Sequence, residues 1–180
     1  FATGGATSVV ATGQPDRYGR IVGMVFARDG RLLQAELVRS GLAIVRPGAG
    51  DDPCSEALLA LEAAARRERS GLWGDSRIVG KATDRTSLLA RSGLYALVEG
   101  RIVSVGYGSR MVFLDFGRNY RRDFTVMVPE SLHSRLREAG IPVDSLEGRV
   151  VRVRGVIEES GGPAIRLTHP LSLEVLNLTE

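Results

Sequence analysis

The chain has 180 residues, 43% hydrophobic and 25% charged, which is the balance of a globular protein. No apolar run approaches the ~20 residues that a membrane-spanning helix needs. A net charge of +3 permits nucleic-acid binding without demanding it, and the lone Cys54 excludes an internal disulfide and a cysteine-based zinc site.

All but Lys81 of the 24 basic residues are arginine, a skew that suits bidentate recognition of phosphate. Position 1 is Phe rather than Met, which predicts that a leader or a longer N-terminal piece precedes it. In chain order, residues 7–11 and 20–27 are strand candidates, joined by the turn "TGQPDRYG". "DGRLLQAELVRSGL" predicts a helix, with Leu33 and Leu37 at helical spacing and Gly41 as its stop. "RPGAGDDP" is a loop, with Asp52 placed as an N-cap and Pro53 at the first helical position. The helix that follows is expected to run to about Ser70, with Leu58, Leu61 and Ala65 on one stripe and "GLWGD" closing it.

Periodicity fades over residues 76–92, which are therefore expected to be a linker between domains 1–75 and 93–180. Beyond it, "LYALVEGRIVSV", "RMVFLDF" and "DFTVMV" predict three strands. "PESLHSRLREAGIP" predicts a short helix with Leu132, Leu136 and Ala139 in register and Gly140 as its stop; "RVVRVRGVI" and "AIRL" predict two more strands. Three strands, a helix and two strands is the order of an oligonucleotide/oligosaccharide-binding (OB) barrel. Alternation sets Val151, Val153 and Ile157 on one face and Arg152 and Arg154 on the other. Arg166 alternates with Ile165 and Leu167, so pairing of these two strands would gather Arg152, Arg154 and Arg166 on one face. Tyr107 and Tyr120, expected in turns, are candidates to stack on bases of a single strand. The competing expectation is a solvated barrel exterior. His133 and His169 lack a metal-ligand partner at useful spacing and are expected to be structural.

The series Asp16-Arg17-Tyr18-Gly19-Arg20, strand, "ELVRSGLAIVRP", helix, "AAARRERSGLWG" resembles the staphylococcal nuclease (thermonuclease) family across residues 7–75. The C-terminal part is similar to the OB-like domain behind the nuclease domain in some bacterial members. The resemblance implies an α+β, mostly β chain: a partial nuclease-type OB barrel with two helices, then a second small OB-like barrel. It implies that Arg20 reaches the scissile phosphate, that Tyr18 contacts a neighbouring phosphate, and that Arg17 faces phosphate. A guanidinium there donates two parallel hydrogen bonds and stabilises charge on the pentacovalent oxygens. Glu62 and Trp73 match structural positions, and Val45-Arg46 stands where the family carries a base-stacking tyrosine.

The family also implies calcium, for which this chain offers no matching ligands, and a general base that is likewise unmatched. Asp16 and the Asp51-Asp52 pair are expected to cap turns rather than rebuild a metal site. An upstream segment or another chain is thus expected to complete the N-terminal barrel, and residues 1–180 alone are expected to be inactive. Two functions stay open: a calcium-dependent phosphodiesterase acting on DNA or RNA, and a non-catalytic nuclease-like scaffold binding nucleic acid or a protein. Family analogy points to an exported or periplasmic protein.

Overall fold

The computed structural model describes residues 6–11, 13–48 and 53–176, and the chain divides into two compact units, 1–45 with 53–75 and 46–52 with 76–180. The Asp51-Asp52 pair lies outside the described residues. Among the described residues, no helix is long and apolar enough to cross a membrane.

In the first unit, β1 (Ala6–Ala11) runs antiparallel to β2 (Gly23–Ala27), with Val9 opposite Val25 and Val10 opposite Met24. Gln34, on α1 (Leu33–Arg39), extends this ladder sideways: its Nε2 donates to the Gly23 carbonyl at 2.8 Å, and its Oε1 accepts from the Val25 amide at 3.2 Å. An amide side chain thus supplies backbone-like partners at a strand edge. The second helix, α2 (Pro53–Arg67), starts at its proline, and a 3-10 turn, Gly71–Gly74, follows it. Gly41 and Gly71 both have positive φ, and a Cβ on Gly41 would stand 2.1 Å from the Ser70 carbonyl oxygen, so this contact requires glycine. Val38, Val45, Ala65 and Trp73 are buried, while Leu58 and Leu61 are half-buried. Glu62 is fully buried; its Oε2 accepts from the Val45 amide at 2.7 Å and its Oε1 from Arg66 at 3.1 Å, which accounts for a carboxylate inside this unit. Trp73 packs with the Arg66 guanidinium 5.5 Å from its ring.

The second unit begins earlier than its sequence suggests. Residues 76–92 are not a linker: they carry β3 (Val79–Lys81) and α3 (Arg85–Leu89). β3 pairs in parallel with β4 (Tyr95–Arg101), Asp84 caps α3 by accepting from the Ser87 amide at 3.1 Å, and Leu88 is fully buried in the barrel core. Elements of three and five residues are too short to show a period, which is why the segment reads as featureless.

The barrel proper uses β4 and β5 (Ser104–Tyr107) as two arms of one bent strand, then β6 (Met111–Asp115), β7 (Thr125–Pro129), β8 (Val150–Ser160) and β9 (Gly162–Arg166). β5 pairs with β6, β6 with β7, β8 with β9 and β4 with β8, all antiparallel, and the parallel pairing of β7 with β9 closes the ring. This is the OB strand order, with α4 (His133–Glu138) between β7 and β8. An added strand, β10 (Leu173–Leu176), pairs with β8. Val98, Val112, Leu114, Val126, Val128, Val151, Val153, Ile157 and Ile165 alternate into one core, with Leu132 and Leu136 of the helical segment packed on it. Ala139 is exposed, and Gly140 stops the helix at φ 75°. His169 is buried and its Nδ1 accepts from the Leu171 amide at 3.1 Å, capping the turn before β10.

Candidate nucleic-acid interface

The pentad folds into a self-contained turn organised by Asp16. Its Oδ1 accepts from the amides of Tyr18 (2.8 Å) and Arg20 (2.9 Å), and its Oδ2 accepts from Arg20 Nε at 2.7 Å. The Asp16 amide donates to the Arg20 carbonyl at 2.9 Å, and Gly19 takes φ 74°, which closes the loop. Arg20's backbone amide and then its side chain, as donors to the carboxylate, hold Asp16 below the ordinary aspartate range.

The Arg20 side chain is 76% exposed and tied only through Nε, so its two terminal nitrogens keep their donors for an incoming anion. Tyr18 is 65% exposed and has two cations against its ring, with the Arg17 and Arg20 guanidinium carbons 4.7 and 5.1 Å from its ring centroid. The sequence-predicted residues Arg17, Tyr18 and Arg20 therefore form one cluster. Two arginines and a tyrosine in a turn that glycine alone would close make a surface that can hold a phosphate by paired donors.

A second surface lies on the barrel's outer face. Because core residues alternate with outward ones, Phe113 and Asp115 of β6 and Thr125 and Met127 of β7 share a face. They floor a cavity of about 730 Å³, walled by Gly106, Tyr107, Tyr120, Arg121, Ser160, Gly161 and Ala164. That volume falls within the ~300–1,000 Å³ range of ligand clefts.

Tyr107 and Tyr120 stand at its rim, 66% and 61% exposed. Tyr107 ends β5 rather than lying in a turn, and its hydroxyl donates to Asp144 at 2.6 Å, which raises its phenol above the ordinary range and fixes its ring. Tyr120 sits in the β6–β7 loop, with the Arg121 guanidinium 5.6 Å from its ring. That loop is pressed against the β8–β9 hairpin: a Cβ on Gly162 would meet the Arg122 carbonyl oxygen at 2.4 Å, so glycine there sets how closely the rim closes. Sequence reasoning found the two tyrosines and missed the floor. The available signal was an acid, Asp115, at an outward position of a strand whose other outward residues, Met111 and Phe113, are apolar.

The three arginines expected on one face do not act together. Arg152 donates to Glu99 at 2.6 Å and to Glu174 at 2.7 Å, and Arg154, only 1% exposed, pairs with Glu174 at 2.5 Å. The β4–β8 and β10–β8 registers set Glu99 and Glu174 directly opposite Arg152, so both guanidiniums are occupied as ties across the sheet. Arg166 is exposed and separate, its terminal nitrogens 4.0 Å from the sulfurs of Met111 and Met127. Opposite Met127 in the β7–β9 register, it places one cation at the edge of the cavity floor.

The described residues do not fit a calcium site. Among them no three His, Cys, Asp or Glu side chains gather where an ion could sit, whereas calcium takes ~6–8 oxygens. Asp16, the carboxylate of the pentad, already gives both oxygens to internal donors.

The first unit thus carries an arginine-bearing turn on a strand-and-two-helix scaffold, and the second is a barrel of OB strand order. Residues 3–75 match the family model described as staphylococcal nuclease homologue. Over 72 residues the chain is 42% identical to an uncharacterized endonuclease of Escherichia coli and 40% identical to one of Escherichia coli O157:H7. Each match covers 40% of this chain and 45% of the relative, so the chain spans less than half the length of these curated relatives. The likeness to the staphylococcal nuclease homologues is thus carried by residues 3–75.

Proposed function

We propose that this chain serves a phosphodiester-directed, nuclease-type function on DNA or RNA, with Arg20 meeting the phosphate under attack and the barrel cavity holding an unpaired strand. The observation that carries this reading is the Asp16 clamp, which orients Arg20 through Nε while both terminal nitrogens remain donors. Two parallel hydrogen bonds to the non-bridging oxygens would stabilise the charge that gathers there as water adds to phosphorus and the ester P–O bond breaks. Tyr18 and Arg17 would position the adjacent phosphate. The attacking water and its base are assigned to no described residue, and no step is routed through a metal. Val9, Val10, Ile21 and Val22 are each more than half exposed, which supports completion of the first unit by further chain or a partner. In the full-length protein, Arg20→Ala is expected to lower kcat/KM for cleavage by ~100-fold or more, while strand affinity falls no more than severalfold. Unchanged turnover overturns the assignment.

A second reading is favoured by the saturation of Asp16: a non-catalytic member that binds strands without cutting them. Under that reading Arg20→Ala weakens binding severalfold and lowers the salt slope by about one, with no cleavage to lose.

A further inference from the structure

We propose that the barrel cavity selects guanine among unpaired bases, and that Asp115 is the residue that reads it. This rests on the single-strand reading of the cavity given above.

Asp115 sits on the cavity floor, 9% exposed, opposite Thr125 in the β6–β7 register. Thr125 Oγ1 donates to Asp115 Oδ1 at 2.8 Å, which fixes the plane of the carboxylate. Oδ2 lies toward Gly106, 3.9 Å from where a Cβ on that residue would stand. Among the described residues no arginine pairs with this carboxylate, in contrast to Glu99 and Glu174 on the other side of the barrel. A largely buried charge with one neutral hydrogen bond costs stability, and the outward face of a strand has no need of it. Its oxygens keep lone pairs available to whatever enters the cavity.

The surroundings describe that occupant. Phe113 lies two residues along the strand on the same face, between Gly106 on β5 and Met127 on β7, and forms a flat apolar floor. Tyr107, Tyr120 and the nearby cations Arg121 and Arg166 suit a planar ring attached to a phosphate chain. A carboxylate at the ring's edge wants two donors side by side. Guanine offers them, N1–H and the 2-amino group, to two parallel oxygens. Adenine and cytosine offer one amino group beside a ring acceptor, which a carboxylate repels, and thymine and uracil offer one N–H flanked by two carbonyls. Gly106, with no side chain, leaves the approach over Oδ2 open.

The test is fluorescence anisotropy with labelled single-stranded DNA of about nine nucleotides, thymine throughout except for G, A, C or T at the centre. The expected result is that the G probe binds about tenfold more tightly than the T probe. Asp115→Asn, which can keep the Thr125 hydrogen bond but puts a donor where an acceptor stood, is expected to bring all four probes within twofold by removing the G advantage. Gly106→Val, which covers the approach and keeps the carboxylate, is expected to lose the G preference too. Equal affinity for the four probes in the unaltered protein overturns the base assignment and leaves strand binding standing. A loss in Asp115→Asn that is uniform across the probes makes the residue structural and also overturns it. No binding of any probe at low salt overturns the single-strand reading itself, and this proposal with it.

Discussion

Two carboxylate–arginine pairs in this chain use the same chemistry to opposite ends. In the pentad, Asp16 holds Arg20 by Nε alone, four residues away, in a turn where the guanidinium is 76% exposed. On the barrel, Glu174 holds Arg154 across a strand pair where the guanidinium is 1% exposed, and it shares Arg152 with Glu99. A local, solvated pair costs little and orients a cation for something else to use. A buried pair between distant segments ties the fold and leaves nothing to offer a ligand. Proximity of Arg to an acid therefore says nothing of function until burial and sequence separation are known.

The sharpest way to break this contrast is to remove one partner of the buried pair. Glu174→Gln is expected to destabilise the barrel by about 3 kcal/mol, because the nearly buried Arg154 and its neighbour Arg152 then meet a neutral amide where they met a carboxylate. Urea denaturation followed by far-ultraviolet circular dichroism checks this, and a change under ~0.5 kcal/mol makes the tie ornamental. Strand affinity per folded molecule should be unchanged, since neither guanidinium lines the cavity.

The complementary change, Asp16→Ala, should act on binding rather than on folding. Arg20 keeps its charge and loses its orientation, so affinity for a short single strand at low salt is expected to fall roughly threefold. The melting temperature should hardly move. If both substitutions lower stability and neither touches binding, the two pairs are alike and the contrast is wrong.

What was legible in the sequence divides along the same line. The pentad was readable because its partners lie within four residues, and Gly19 marks the turn that brings them together. The core faces of β6 through β9 were readable from alternation, as the burial of Val151, Val153 and Ile157 shows. The ties of Arg152 were not: its partners stand 53 and 22 residues away, and only the strand register brings them opposite. β3, α3 and β10 escaped notice because they have too few residues to carry a period and owe their form to packing on the barrel. Asp115 was visible as a residue and silent as a site, since its role depends on Thr125 and Gly106 from two neighbouring strands.

The smallest expected effect concerns pH, and it separates orientation from charge. Asp16 titrates below the ordinary aspartate value of ~4 because the Arg20 amide and side chain both donate to its ionised form. A carboxyl lowered in the folded state contributes stability above its unfolded pKa and loses it as pH falls through the folded one. Between pH 5 and 8 the clamp is thus fully formed, and Arg20 keeps one orientation throughout. Nuclear magnetic resonance of the Arg20 Nε–H resonance should show it held across that window and released only below the ordinary aspartate range. Strand affinity should stay flat over the same range if Asp16 is the only acid acting on Arg20. An Asp16 carboxyl that titrates at or above the ordinary value would mean that the clamp does not persist in solution. The exposed pair would then be one conformation among many, and Arg20 would approach a phosphate no better prepared than any other surface arginine.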